Sequence, residues 1–205
     1  QKVGLEPDVI TFNAAISACS NGGQWVWALN LLVEMHEERL KPDATRDNNA
    51  ISACLKAEQW QRALFMQAEM GEHLLEADLI SYNIAISACE KGERWDQALG
   101  QLREMHDIFL VPDTISYNAV ISGCARGEQW QWALESISEM QDHALELDVI
   151  SYSAAISACE KGHQWRHALR MLASMAKQHI EPVVISYNTA TSACEKGGQW
   201  ERALG

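Results

Sequence analysis

Six cysteines and seven histidines are the residues of this sequence best suited to metal binding or to nucleophilic and acid–base chemistry. Cys159, His163 and His167 are four residues apart, a spacing that aligns ligands on one helix face, but Gly162 is expected to break the helix between them. Zinc sites pair cysteines a few residues apart, and no Cys-x-x-Cys occurs. The remaining histidines have no carboxylate or nucleophile at a repeatable spacing. We therefore predict no metal, no cofactor and no catalytic activity for this segment.

A second set of polar residues recurs at helical spacing. Asn83, Ser87 and Lys91 are four residues apart and therefore share one face of a helix. The asparagine belongs to a column with the members Asn13, Asn48, Asn83, Asn118, Ser153 and Asn188. The middle residue is serine in every copy. Long charged side chains form better helices than asparagine, so solvation alone does not explain one small amide in one column. We expect this face to contact a ligand.

The elements that position this face follow from a repeat of 35 residues. The six cysteines are all 35 residues apart, and six tryptophans and five methionines keep the same period. Such periods indicate arrays in which each unit buries its apolar face only by stacking on its neighbours. The predicted repeats are 9–43, 44–78, 79–113, 114–148 and 149–183, with a partial repeat at 184–205 and the tail of an earlier repeat at 1–8. No polar capping repeat is evident, so we expect a piece of a longer array.

Each repeat is predicted to be a helical hairpin. In the third repeat the first helix covers Ile80–Cys89, with Ser81 as its N-cap and Gly92 ending it in a left-handed conformation. The second helix covers Trp95–Met105, where apolar residues recur at spacings of three and four. The tryptophan and methionine columns are interpreted as core. Cysteines one repeat apart lie about 8–10 Å from each other, too far for a disulfide, so they are expected to be reduced.

The charge distribution separates two surfaces. The net charge of −12 argues against a generally basic nucleic-acid-binding coat, and no apolar segment is long enough for membrane insertion. The first 13 residues of the repeats nevertheless contain six basic and four acidic residues, whereas the rest of the chain contains ten basic and 24 acidic residues. Five of these bases form one column, here called the basic column: Lys56, Lys91, Arg126, Lys161 and Lys196. The column could hold phosphates, or it could compensate the helix dipole, because each base ends its helix.

The repeats resemble the pentatricopeptide repeat family. The resemblance rests on Ile115-Ser116-Tyr117-Asn118, on Ala133-Leu134 and Met140, and on Val111-Pro112-Asp113 at a repeat end, and it covers essentially all 205 residues. The tetratricopeptide repeat has a period of 34 and places tryptophan in its first helix, whereas these tryptophans open the second. The resemblance implies an all-α, right-handed α-solenoid of helix-turn-helix repeats. It also implies that each repeat reads one RNA base through its fifth and last residues, with the second residues sandwiching the base.

Transferred to this sequence, the family pattern assigns three groups of residues. Base reading falls to Asn13, Asp43, Asn48, Asp78, Asn83, Asp113, Asn118, Asp148, Ser153 and Asn188. Base sandwiching falls to Ile10, Ile80, Ile115, Ile150 and Ile185, and phosphate contacts to the basic column. Asparagine with aspartate resembles a uridine reader in the family's code. The aspartates could instead serve only as helix caps, because each precedes a first helix.

Two repeats depart from the pattern. The second has Thr45-Arg46-Asp47 where four of the others have Ile-Ser-Tyr, so we expect it to be the weakest reader. The fifth pairs Ser153 with Val183, and valine has no polar group with which to read a base.

Two functions remain open from the sequence. The first is sequence-selective binding of single-stranded, U-rich RNA, acting in organellar RNA processing, stability or translation. The second is a protein-binding or structural scaffold subunit of an organellar complex, plastid or mitochondrial. The net charge of −12 and the nearly uniform Asn–Asp pairs favour this alternative more than in a typical family member. Either function places the protein in a chloroplast or mitochondrion, with the chloroplast preferred, and any targeting segment lies outside this chain.

Overall fold

The computed structural model describes residues 9–38, 44–72 and 78–199. This part of the chain contains eleven α-helices and no strand, which confirms the predicted all-α repeat fold. The helices are α1 (Val9–Asn21), α2 (Trp25–Glu37), α3 (Ala44–Lys56), α4 (Trp60–Glu72), α5 (Leu79–Lys91), α6 (Trp95–Asp107), α7 (Thr114–Arg126), α8 (Trp130–Asp142), α9 (Val149–Lys161), α10 (Trp165–Lys177) and α11 (Val184–Lys196). Within the described ranges no helix has the length and apolarity needed to cross a membrane.

The helices form two compact units, Gln1–Gly92 with α1 to α5 and Glu93–Gly205 with α6 to α11. In the first unit α1 packs on α3 and α3 on α5, while α2 and α4 each contact the odd-numbered helices before and after them. In the second unit α7 packs on α9 and α9 on α11, and α8 and α10 are placed in the same way. Each unit is therefore a stack of helical hairpins, with one layer of odd-numbered and one of even-numbered helices.

Small residues allow the odd-numbered helices to pack closely. In α9 Ala155, Ile156, Ala158 and Cys159 have no exposed surface. A fully buried isoleucine contributes about 1.5–3 kcal/mol through the hydrophobic effect. The four described methionine side chains of the repeat column are also fully buried, and the cysteines are free thiols, as predicted for both columns.

Helices α5, α7 and α9 begin one residue after an aspartate, which corrects the predicted N-cap. Asp78, and not Ser81, caps α5: its carboxylate accepts the Ser81 backbone N–H at 2.9 Å, while the Ser81 hydroxyl accepts the Asp78 backbone N–H at 3.4 Å. Asp113 and Asp148 form the same capping box on α7 and α9. The prediction was wrong because the box uses the serine as its third helical residue. The second helix of the third repeat is also two residues longer than predicted and ends at Asp107.

The glycines that follow α5, α7, α9 and α11 serve close packing and not a left-handed turn. Gly92 has φ −82°, and the left-handed residue is the next one, Glu93, with φ 56°. A Cβ at Gly92 would lie 2.7 Å from the Trp60 ring of the preceding repeat. At Gly127 the corresponding distance to Trp95 is 2.3 Å. The described tryptophans of the column are half-buried, not fully buried as the core interpretation implied. Four of them, Trp60, Trp95, Trp130 and Trp165, pack between repeats, where the glycines make room for them.

Candidate functional site

The second residue of five odd-numbered helices is an isoleucine that is exposed to solvent. Ile10, Ile80, Ile115, Ile150 and Ile185 are between 59% and 76% exposed. Single exposed apolar residues are ordinary, but the same residue exposed at the same register in five helices is a repeated surface feature. Thr45 takes this place in α3 and is exposed as well. The five isoleucines therefore present apolar surface to solvent and do not fill the core.

The structure brings together two of the predicted asparagine–aspartate pairs. Asn48 Nδ2 donates to Asp78 Oδ1 at 3.2 Å, and Asn118 Nδ2 donates to both carboxylate oxygens of Asp148 at 3.2 Å. The aspartates also cap helices, so capping and asparagine binding are simultaneous roles of one carboxylate. Asp43, the predicted partner of Asn13, lies outside the described residues. Asn83 and Asp113 belong to different units.

Hydrogen bonding keeps Asp78 ionised. Burial alone would raise the pKa of its carboxyl group, but hydrogen bonds from the Ser81 backbone and hydroxyl and from Asn48 outweigh burial, and the pKa is lowered. A carboxylate only accepts hydrogen bonds, so it fixes which end of the asparagine amide faces it. The amide nitrogen points to the carboxylate and the amide oxygen points away.

The amide oxygens differ between repeats. The Oδ1 atoms of Asn13 and Asn48 are buried without a hydrogen-bond partner. Asn118 Oδ1 accepts from the Ser151 hydroxyl at 2.6 Å, although the same hydroxyl lies 2.9 Å from Asp148 Oδ1. A hydroxyl has one proton and can donate to only one of these oxygens at a time. Sequence reasoning missed Ser151 as part of this site, although the serine at the third position of four repeats was the available signal.

The fifth repeat is built differently, in line with its departure in sequence. The Ser153 and Ser186 hydroxyls are 2.9 Å apart and form a hydrogen bond. Val183 precedes α11 and provides no side-chain cap. Asn188 in α11 is exposed, as are the isoleucine and tyrosine of the same helix. This repeat therefore lacks the carboxylate that orients the amide elsewhere.

The basic column lies at the ends of the odd-numbered helices, and several of its members contact the preceding repeat. Lys91 Nζ donates to the Leu55 carbonyl oxygen at 3.0 Å, and Lys56 Nζ lies 3.5 Å from Asn21 Oδ1. Lys196 Nζ forms an ion pair with Glu160 Oε1 at 2.6 Å. Arg126 and Lys161 end α7 and α9 at the same register.

Glu160 is a functional candidate that the sequence interpretation did not single out. Burial would raise the pKa of its carboxyl group, but hydrogen bonds from Lys196 and Ser192 and the charges of Lys196 and Lys161 prevail and lower it. The Ser192 hydroxyl donates to Glu160 Oε1 at 2.9 Å. The signal in the sequence was the glutamate that precedes the lysine of the basic column in three repeats.

Metal-binding and nucleophilic groups are not assembled in the described ranges, where no group of three or more His, Cys, Asp and Glu could hold a metal ion. Cys159 lies in α9, His167 in α10, and His163 in the turn between them with φ 56°. Burial raises the pKa of the Cys124 and Cys159 thiols to about 12. Thiols in this state are poor nucleophiles and poor metal ligands at neutral pH.

Three family models match the chain: "Pentatricopeptide repeat domain" at residues 1–57, "PPR repeat" at 80–108 and 150–180, and "PPR repeat family" at 112–161. No curated protein sequence matches it.

Solved structures of low sequence identity share the fold. The pentatricopeptide repeat protein PPR10 from maize has a TM-score of 0.83 at 19% identity over 97% of this chain. PPR10 in complex with an 18-nt psaJ RNA element gives 0.83 at 21% identity over 98% of this chain. This chain covers 28% and 29% of those two chains. The PPR domain of Arabidopsis thaliana protein-only RNase P 1 in complex with tRNA gives 0.65 at 13% identity, over 75% of this chain and 83% of that one.

Proposed function

Because this chain belongs to the pentatricopeptide repeat family, we propose that it binds single-stranded RNA along its odd-numbered helices, one base per repeat and with a preference for uridine. The single observation that carries the base preference is the asparagine amide held by an aspartate, as in Asn118 with Asp148. The Asn118 amide oxygen accepts from the Ser151 hydroxyl, whose single proton can turn to Asp148 instead, and an amide oxygen released in this way can accept the N–H that uracil has at its Watson–Crick edge.

The surroundings of the pairs support the same proposal. The exposed isoleucines suit the flat faces of bases, and the basic column suits the phosphates. PPR10, whose structure in complex with RNA has this fold, gives an example of such a complex. We propose an organellar role in RNA processing, stability or translation, with the chloroplast preferred and no chemistry performed by this segment.

The direct test compares labelled oligo-U with oligo-A by fluorescence anisotropy at physiological salt. We expect tighter binding of oligo-U. The salt dependence is expected to be shallow: five phosphates at about 0.7 counterion each give a slope of about −3.5 at most. A much steeper slope would mean that a different surface binds the RNA.

The matched variants are Asn118→Thr and Asn49→Thr. By the family's code, threonine with Asp148 retained should move the preference from U towards G. Loss of one net hydrogen bond costs about 1 kcal/mol against U, or roughly fivefold in affinity. Asn49 follows Asn48 in α3 and lies outside the asparagine column. Asn49→Thr therefore makes the same chemical change at a residue that is not proposed to read a base, and this variant should keep the parent's preference.

A protein-binding scaffold of an organellar complex is the second candidate, and the net charge of −12 favours it. If the parent discriminates neither oligo-U from oligo-A nor U from G, and Asn118→Thr folds normally without changing this, the asparagine column is not a reader and the scaffold function takes precedence.

A further inference from the structure

Members of the basic column differ in what the preceding repeat offers them. Lys91 and Lys196 each contact the twelfth residue of the preceding repeat, whereas Lys56 lies next to the thirteenth, Asn21. At Lys91 the twelfth residue is Leu55, which contributes only its backbone carbonyl oxygen, at 3.0 Å. At Lys196 it is Glu160, which contributes a carboxylate at 2.6 Å. The column therefore presents chemically different sites in successive repeats.

Lys161 represents a third case. The twelfth residue of the preceding repeat is Ala125, which has no polar side chain. Among the residues that the structure describes, Lys161 forms no hydrogen bond or ion pair, although its charge acts on its sequence neighbour Glu160. Its ammonium group therefore retains three donors for a ligand.

The Glu160 carboxylate is held firmly in place. Lys196 and Ser192 both bind the same oxygen, Oε1, and the glutamate side chain is only 15% exposed, whereas that of Lys196 is 42% exposed. Carboxylate and phosphate oxygens compete for the same ammonium donors. A phosphate approaching Lys196 meets a fixed negative charge at the distance where it would itself bind, and like charges in contact repel.

We propose that Glu160 occupies the place of a backbone phosphate beside Lys196, so that bound RNA is held by Lys161 and only weakly by Lys196. This inference rests on the proposed RNA binding. It makes Glu160 a positioning residue that sets where along the basic column the backbone is gripped.

The test uses Glu160→Gln in the whole chain, with Glu195→Gln as the matched control. Glu195 is the twelfth residue of the last described repeat, and its substitution removes the same charge without freeing Lys196 from an ion pair. We expect Glu160→Gln to steepen the salt slope for oligo-U by about 0.7 and to tighten binding about fivefold at 0.1 M salt, as one additional phosphate contact requires. Glu195→Gln should change affinity less than twofold.

Two further measurements separate the possible failures. In the parent, Lys161→Ala should weaken oligo-U binding more than Lys196→Ala does, and in the Glu160→Gln background the two losses should become equal. In the free protein, acetic anhydride should modify Lys161 faster than Lys196, with the difference reduced by Glu160→Gln. Oligo-U binding with identical effects of Glu160→Gln and Glu195→Gln overturns this inference alone. No RNA binding by the parent or any variant overturns the proposed function and this inference with it.

Discussion

The packing of tryptophan on glycine between repeats predicts a specific stability difference. Gly127 has φ −80°, a value that alanine also adopts, so Gly127→Ala introduces no backbone strain. An added Cβ would lie 2.3 Å from Trp95 Cδ1 and 2.9 Å from Cγ, near the root of the side chain, where the ring cannot easily swing aside. Overpacking of this kind costs about 1–3 kcal/mol. We therefore expect Gly127→Ala to destabilise the protein by that amount.

Gly100 provides the matched control, because it lies inside α6 and nothing is within 4 Å of a Cβ built there. Gly100→Ala should stabilise the protein by about 0.5–1 kcal/mol through helix propensity. One substitution should thus lower the melting temperature and the other raise it, by about 2–4 °C per kcal/mol for a chain of this size.

Urea and thermal unfolding followed by circular dichroism measure both effects. The second repeat carries Ala57 in the glycine column, so we expect a graded loss of stability and not a loss of fold. Trp95→Leu in the Gly127→Ala background should recover part of the loss, because the two residues are coupled. If Gly127→Ala raises stability as Gly100→Ala does, the close approach of Trp95 does not constrain the glycine.

Three further predictions concern stability and reactivity. Glu128 has φ 59°, so Glu128→Gly should stabilise the protein by about 0.5–1 kcal/mol, whereas Gly198→Ala, at φ 67°, should destabilise it; both are read from urea midpoints. Because burial raises the pKa of Cys124 and Cys159 to about 12, a thiol reagent at pH 8 should label the half-buried Cys19 first, as measured by mass spectrometry. Because the pKa of Glu160 is lowered in the folded protein, its contribution to stability is present above the unfolded pKa of about 4.3 and is lost as the pH falls through the folded pKa. The urea midpoint of Glu160→Gln should therefore decrease less than that of the parent as the pH is lowered.

The period of the sequence predicted most of the fold because each repeat is one supersecondary unit. Trp60, Trp95 and Trp130 mark the first residues of the even-numbered helices, and the buried methionines follow from the same alignment. The glycine column was recognised but explained wrongly, because a glycine after a helix usually takes the left-handed position. Here Glu93 takes that position, and the reason for Gly92 is a ring from the preceding repeat, a contact between repeats that local turn rules do not include.

The candidate site was predictable in its columns but not in its contacts. The register placed Asn118 beside Asp148, and the structure shows the hydrogen bonds. The sequence could not show that the Ser151 hydroxyl can donate to either Asn118 or Asp148. It also could not show that Glu160 forms an ion pair with Lys196. Both depend on rotamers of side chains from adjacent repeats, and periodicity fixes the positions of those side chains but not their conformations.

Capping and amide orientation are consequences of the same carboxylate. Asp148 accepts the Ser151 backbone N–H at 2.8 Å to start α9, and this bond fixes the direction of the carboxylate. Its remaining acceptor capacity faces Asn118, which can respond only with its amide nitrogen, so the amide oxygen is left to accept from the Ser151 hydroxyl. Where Val183 replaces the aspartate, the cap and the orienting acceptor are lost together. Asp78 and Asp148 therefore cap a helix and orient an asparagine amide at the same time, so capping does not exclude the base reading that we propose.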